Sequence, residues 1–439
     1  MRRRRPRKET STRVHLASLG CAKNLVDSET LLARLGLAGA LVGAPADEAD
    51  VLIVNTCGFI EPAKQESLEV IRRYVKVKAD DPTKRLLVIG CLVERARDEL
   101  EKRLPEVDGF FGLGEQSQIV AACGLAAPPE ADVARLLLTP PHTAFLRISE
   151  GCDNACTYCT IPRIRGPFRS RRPEEILREA RDLASSGVRE LNLIGQDTTS
   201  YGRDLPERVG VAHLLRKVAE IEGIRWVRLL YAHPAHVTED LIQTFAEVPE
   251  LCPYIDLPLQ HLDDEILRRM GRGVTQREIL DLIDRFRRRV PDVAIRTTFI
   301  VGFPGETPAK FDALLRLVED LRFDHLGAFA YSREDGTPAA SFSGQVDESE
   351  KLHRVRELML VQRDVVASVN GERIGRIEEV VVDRLGDDPE GSSIGRTKRQ
   401  APDVDGRTLF REAGLAPGRF VTAKIVEADG YDLVGERLD

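Results

Sequence analysis

The stretch Gly151-Cys152-Asp153-Asn154-Ala155-Cys156-Thr157-Tyr158-Cys159 places three thiols in a C-x3-C-x2-C spacing within eight residues. Three thiolates can hold three irons of a cubane cluster and leave the fourth iron open, whereas iron–sulfur clusters are normally closed by four cysteines. Something other than protein must then complete the site. A small molecule that chelates through an amino and a carboxylate group, as S-adenosylmethionine does, meets that need. A structural zinc knuckle is the bland alternative. Zinc asks for a fourth Cys or His nearby, and no such residue follows Cys159 within the reach of a loop.

The rest of the chain bounds the setting. Its 439 residues exceed one ordinary core and suggest two or three domains. Apolar residues make up 42% and charged residues 31%, the balance of a soluble globular protein, and no apolar run approaches the roughly 20 residues of a membrane span. Residues 1–12 form a basic tail, Met1-Arg-Arg-Arg-Arg-Pro-Arg-Lys8 and on, without the apolar segment of a secretory signal. Such a tail is read either as solvated chain or as a contact for ribosomal RNA or the ribosome surface. A cytoplasmic protein with no membrane partner is expected. Eight cysteines in a reducing compartment point to metal ligands or catalytic groups rather than disulfides. A net charge of −7 argues against a surface built as a whole to grip nucleic acid.

Residues 13–126 alternate short apolar runs with amphipathic stretches, the pattern of an open α/β sheet. Val14–Leu19, Val51–Val54 and Leu86–Ile89 read as strands, and each ends near a cysteine: Cys21, Cys57 and Cys91. If the strands are parallel, their carboxyl ends share one edge, where ligands bind in such sheets. One cysteine at a strand end is most simply a buried thiol. Three in the same placement favour a shared metal or cluster.

The proline-containing stretch 127–141 reads as a linker. Beyond it, in 142–368, six strands are expected at Ala144–Ile148, Glu190–Ile194, Trp226–Leu230, Tyr254–Leu257, Ala294–Val301 and His325–Phe329, mostly separated by helical segments. Residues 370–439 change character again, with β-like runs at Ile377–Val382 and Arg419–Val426 that suggest a small β-barrel. Cys123, Cys252, His233, His236 and His261 are read as structural.

The cysteine loop resembles that of the radical S-adenosylmethionine superfamily. The resemblance implies an incomplete (β/α)6 barrel, a 4Fe-4S cluster on Cys152, Cys156 and Cys159 that binds S-adenosylmethionine, and Tyr158 beside the adenine. It also makes the loop Val301-Gly302-Phe303-Pro304-Gly305-Glu306 a wall of that pocket, with Gly302 and Glu306 at the cofactor. Arg296 is then a candidate for the methionine carboxylate and Gln196 for the amino group or ribose. Leu19-Gly-Cys-Ala-Lys-Asn24, Asn55-Thr-Cys-Gly-Phe-Ile60 and Gly90-Cys-Leu92 are similar to the three motifs of the methylthiotransferase N-terminal domain, in which the cysteines hold a second 4Fe-4S cluster. The C-terminal residues resemble the TRAM module.

Within the methylthiotransferases, Lys23, Leu25-Val26, Asp197-Thr-Thr199 and Ala401-Pro-Asp-Val-Asp-Gly406 look like the branch acting on an aspartate of the twelfth small-subunit ribosomal protein, the alternative being tRNA adenosine. Residues 371–439 carry 11 Lys and Arg against 15 Asp and Glu, a surface better suited to a basic protein than to tRNA. The resemblance further implies sulfide or persulfide as sulfur source and a low-potential electron donor such as a flavodoxin or ferredoxin.

Overall fold

The computed structural model describes residues 11–126, 128, 135–386, 392–412 and 414–438. Nearly all of the basic tail and half of the expected linker lie outside the described residues. The chain forms two compact units. One runs to Leu138 and includes Arg163–Arg165; the other holds Thr139–Pro162 and everything from Gly166 onward.

The first unit is a parallel sheet of five strands, β1 (Arg13–Ser18), β2 (Leu41–Val42), β3 (Val51–Thr56), β4 (Arg85–Gly90) and β5 (Gly109–Phe111), in the order β2-β1-β3-β4-β5. β3 shows why both faces must be covered. Every one of its residues is buried, and successive side chains alternate between two cores. Leu52 and Val54 meet Leu68, Ile71 and Tyr74 of the helix Glu61–Asp80, while Val51 and Ile53 meet Leu31 and Leu35 of the helix Ala22–Leu37. Each such side chain contributes about 1.5–3 kcal/mol when fully buried.

In the second unit, β6 (Thr143–Arg147) is followed by a short antiparallel pair, β7 (Ser149–Glu150) and β8 (Arg169–Ser170), that pinches the ends of the cysteine loop together. Then come β9 (Glu190–Ile194), β10 (Trp226–Leu229), β11 (Leu251–Gln260), β12 (Ala294–Val301) and β13 (His325–Ala330). The sheet is parallel, in the order β13-β12-β11-β10-β9-β6, and open between β13 and β6. The six expected strands are all present. β11 is longer at both ends than its apolar core predicts because Pro253 and Pro258 lie inside it. A proline cannot donate to the ladder, and the register shifts between Leu257 and Gln260, where Pro258 falls.

The C-terminal residues form a closed barrel of β14 (Ile377–Leu385), β15 (Ser393–Thr397), β16 (Thr408–Phe410), β17 (Phe420–Asp429) and β18 (Asp432–Arg437) around Val380, Val382, Phe410, Val421 and Ala423. It covers the N-terminal ends of the six parallel strands. His142, just before β6, meets Asp383 at 2.9 Å; Glu190 meets Arg396; the Trp226 indole donates to Glu379 at 2.7 Å. Arg228 donates to the Lys398 carbonyl, the Tyr254 hydroxyl to Asp405 at 2.7 Å, and His325 bonds the Arg399 carbonyl at 2.7 Å. The opposite, C-terminal ends carry the cysteine loop.

Candidate active site

In the first unit each cysteine sits where a strand gives way to a helix or loop. Cys21 is the N-cap of the helix Ala22–Leu37, Cys57 follows β3, and Cys91 opens the helix Cys91–Arg103. The three segments pack too closely for side chains between them. A methyl group on Gly20, whose φ is +88°, would lie 2.8 Å from Cys57 Cβ, and one on Gly58 would lie 2.7 Å from Leu92 Cα. Asn24 ties the edge together: its Nδ2 donates to the carbonyls of Leu19 (3.0 Å) and Thr56 (2.9 Å), and its Oδ1 faces Cys91 Sγ at 3.2 Å. The Arg165 guanidinium donates to Asn24 Oδ1 (2.6 Å), Asp27 (2.9 Å) and Cys91 Sγ (3.4 Å). Burial pushes the Cys91 thiol up to about 12 and raises that of Cys57. Both thiols therefore stay protonated until a metal displaces the proton.

The second triplet lies on a loop fixed from several sides. The Cys152 amide donates to the Gly166 carbonyl, the Thr157 amide to the Met270 carbonyl (3.0 Å), the Thr157 hydroxyl to the Arg269 carbonyl (2.8 Å), and the Ala339 amide to the Thr157 carbonyl. Asn154 donates to Asp197 at 2.9 Å. Asp197, buried at the end of β9, also accepts from Thr199, Ser200 and His236. Burial opposes its charge, but the hydrogen bonds from His236, Thr199 and Asn154 outweigh that and hold the carboxyl well below the usual carboxylate range. Burial pushes the Cys159 thiol up to about 12 and raises that of Cys152. Arg272 donates to the Pro258 carbonyl at 2.6 Å and to Cys156 Sγ at 3.5 Å.

Three of the expected cofactor contacts lie around this loop. Tyr158 packs edge-to-face against Phe303, ring centroids 6.4 Å apart, which brings the loop together with the turn that begins at Gly302. Gln196 donates to Glu150 at 2.9 Å, and its Oε1 is buried with no protein partner. The other two, Glu306 and Arg296, have protein partners of their own. Glu306 is wholly buried and committed to protein: it accepts from the Gly302 amide at 2.8 Å and from Arg354 at 2.8 Å, and lies 3.5 Å from His261. It shapes the turn at Gly302. Arg296 sits near the start of β12, paired with Asp256 (2.9 Å) and with Asp405 of the C-terminal barrel (3.3 Å). Its charge is answered at the covered end of the sheet, away from the strand ends that carry the cysteines. Asn24, Arg165 and Arg272 carry no site signal of their own in the sequence, since they reach the thiols only through the fold, and His236, read as structural, meets Asp197.

The donor set fits an iron–sulfur cluster with an open iron: three thiols on one loop, and beside them an orphaned buried acceptor, Gln196 Oε1, turned toward no protein donor. Among the described residues no three Cys, His, Asp or Glu side chains converge tightly enough to hold a single metal ion. A cluster takes each thiol on a different iron and so spaces its ligands more widely than one ion would.

A three-cysteine loop after the first strand of a parallel six-stranded (β/α) sheet defines a radical S-adenosylmethionine enzyme, and the family model described as the radical SAM superfamily matches residues 146–318. Residues 13–112 match the model described as uncharacterized protein family UPF0004, and residues 374–438 the TRAM domain. The chain is 44% identical over 438 residues to the ribosomal protein uS12 methylthiotransferase RimO of Geobacter sulfurreducens, covering 97% of this chain and 98% of that one. It is equally 44% identical to the protein of the same name from Syntrophus aciditrophicus, over 97% and 98% of the two chains. The chain belongs to the ribosomal protein uS12 methylthiotransferase family. Among solved structures, the radical S-adenosylmethionine methyltransferase TsrM of Kitasatospora setae shares the fold, with a TM-score of 0.53 at 16% identity over 75% of this chain and 77% of that one. Among the described residues no helix is long and apolar enough to cross a membrane.

Proposed function

We propose that this protein adds a methylthio group to the β-carbon of an aspartate in ribosomal protein uS12, using one 4Fe-4S cluster on Cys152, Cys156 and Cys159 and a second on Cys21, Cys57 and Cys91. The full-length likeness to uS12 methylthiotransferases carries this reading. When bound, the first cluster and S-adenosylmethionine supply radical hydrogen abstraction from an unactivated carbon, and the second cluster supplies a site for the sulfur. The protein's part is placement. Asp197, through Asn154, holds the cysteine loop; Gln196 Oε1 offers an acceptor to the cofactor's amino or hydroxyl groups; Tyr158 and Phe303 form an apolar wall that excludes water; Glu306 and Arg354 hold the turn at Gly302.

The acidic balance of residues 371–439 supports a protein substrate over tRNA. Three of the barrel's cations turn toward the parallel sheet and its loops: Arg396 meets Glu190, Arg399 meets Asp324, and Lys398 donates to the Pro249 carbonyl. They are not presented to a phosphate backbone, which needs an outward cationic face. Sulfide or a persulfide serves as sulfur source, and a flavodoxin or ferredoxin as electron donor. The test is anaerobic incubation of the reconstituted protein with S-adenosylmethionine, reductant and sulfide, offering uS12 and tRNA in parallel and weighing both. A gain of CH2S on the aspartate-bearing peptide is expected; a gain on tRNA adenosine alone overturns the reading.

A further inference from the structure

Each cysteine triplet has one guanidinium at a sulfur, and the two are not equivalent. Arg165, at Cys91, is answered by the carboxylate of Asp27 at 2.9 Å. Arg272, at Cys156, is as deeply buried, with 5% of its surface exposed, yet among the described residues no carboxylate lies within ion-pair distance of it. Its partners are the Pro258 carbonyl at 2.6 Å and Cys156 Sγ at 3.5 Å, and its Nε has no protein acceptor. Asp197 attracts it from beyond ion-pair distance, and a buried cation with no close counter-charge is costly.

The surroundings hold Arg272 in place. It follows the helix Asp264–Met270, which ends in a left-handed Gly271. The carbonyls of Arg269 and Met270, immediately before it, accept from Thr157 of the cysteine loop. The guanidinium and the cysteine loop are therefore one rigid piece. The position is 116 residues from Cys156 in sequence and is brought there by the helix that follows β11.

We propose that Arg272 is a positioning residue whose counter-ion is the anionic iron–sulfur cluster on Cys152, Cys156 and Cys159, and that its hydrogen bond to the Cys156 sulfur raises that cluster's reduction potential. Reduction adds negative charge to the cluster. A fixed cation and N–H donor at a ligand sulfur stabilise the reduced form more than the oxidised one, and hydrogen bonds to sulfur and net charge are among the quantities that set such potentials. The inference rests on the cluster assignment of the proposed function and adds the group that tunes it.

The experiment uses the full chain carrying C21A, C57A and C91A, so that one cluster titrates, with Arg272, R272M or R272K. Each protein is reconstituted anaerobically, its iron and acid-labile sulfide measured, and its midpoint potential read by redox titration followed by electron paramagnetic resonance. The apo forms are compared by thermal melting. R272M is expected to lower the potential by the equivalent of at least a tenfold change in the reduced-to-oxidised ratio, about 59 mV for one electron, and R272K to restore most of it. Apo R272M is expected to melt no lower than the apo parent, because it removes a buried charge that has no ion-pair partner in the apo protein. Failure of R272M to assemble a cluster while its apo form keeps that melting temperature also supports the counter-ion role. An unchanged potential in R272M, or an apo R272M that melts below the parent, overturns it. A parent protein that assembles no cluster fails the functional reading instead, which separates the two.

Discussion

Arg396 of β15 donates to both carboxylate oxygens of Glu190, the first residue of β9, at 3.0 and 2.7 Å. Both side chains are almost wholly buried, Arg228 approaches Glu190 at 3.3 Å, and Asp383 accepts from Arg396 on its other side. The joint between the C-terminal barrel and the parallel sheet is thus a closed set of charges. Removing one partner from such a set leaves the others uncompensated. Glu190→Leu is expected to cost about 3–5 kcal/mol, read as a lower urea midpoint for the joint with Trp226 emission as the probe. That tryptophan is the only one in the chain, and it bonds Glu379 across the same joint.

The pH dependence of the joint follows from the same carboxylate. Burial opposes the charge on Glu190, but Arg396, Arg228 and the Thr143 hydroxyl outweigh it and bring the carboxyl down from 4.5 to about 2. The folded value lies below the unfolded one, so the contribution is fully present above about pH 4.5 and is lost as the pH falls toward 2. It is worth roughly 3 kcal/mol. Trp226 emission is expected to change across that acid window in the native protein, and the change to be flatter in Glu190→Leu.

The two triplets should separate by substitution. Cys156→Ala is expected to reduce formation of 5′-deoxyadenosine from S-adenosylmethionine to background. Cys57→Ala is expected to leave that cleavage in place and abolish transfer of the methylthio group, as measured by chromatography of the nucleoside and mass spectrometry of uS12. Retained product in the Cys57 variant would remove the assigned role of the second cluster.

Gly20→Ala tests the convergence of the first triplet without touching a thiol. The added methyl would meet Cys57 Cβ at 2.8 Å in a backbone conformation with φ of +88°, a combination worth about 1–3 kcal/mol of strain. The expected outcome is a protein that loads iron and acid-labile sulfide only to the level of Cys57→Ala, while 5′-deoxyadenosine formation persists.

The cysteines and strands were readable in the sequence because their signals are local. The C-x3-C-x2-C spacing lies within one loop, and each of Cys21, Cys57 and Cys91 closes an apolar run whose length marks it as a strand. The sequence predicts a short β11 because Pro253 and Pro258 are poor strand formers, and only the pairing with β10 and β12 reveals that they are absorbed at register shifts. Arg296 and Glu306 are expected at the cofactor from their neighbourhood in sequence, but their ion-pair partners Asp405 and Arg354 are invisible there, lying 109 and 48 residues away in the chain. Arg165 and Arg272 show the converse. Nothing in their local sequence marks them as neighbours of a sulfur, and the contact exists only once the fold is formed.

Arg396, Lys398, Arg399 and Asp405 meet the starts of β9 to β13, and Asp383 meets His142 just before β6. One edge of the parallel sheet is thereby taken by protein, and the other, where the cysteine loop lies, is the edge at which a substrate is expected to arrive.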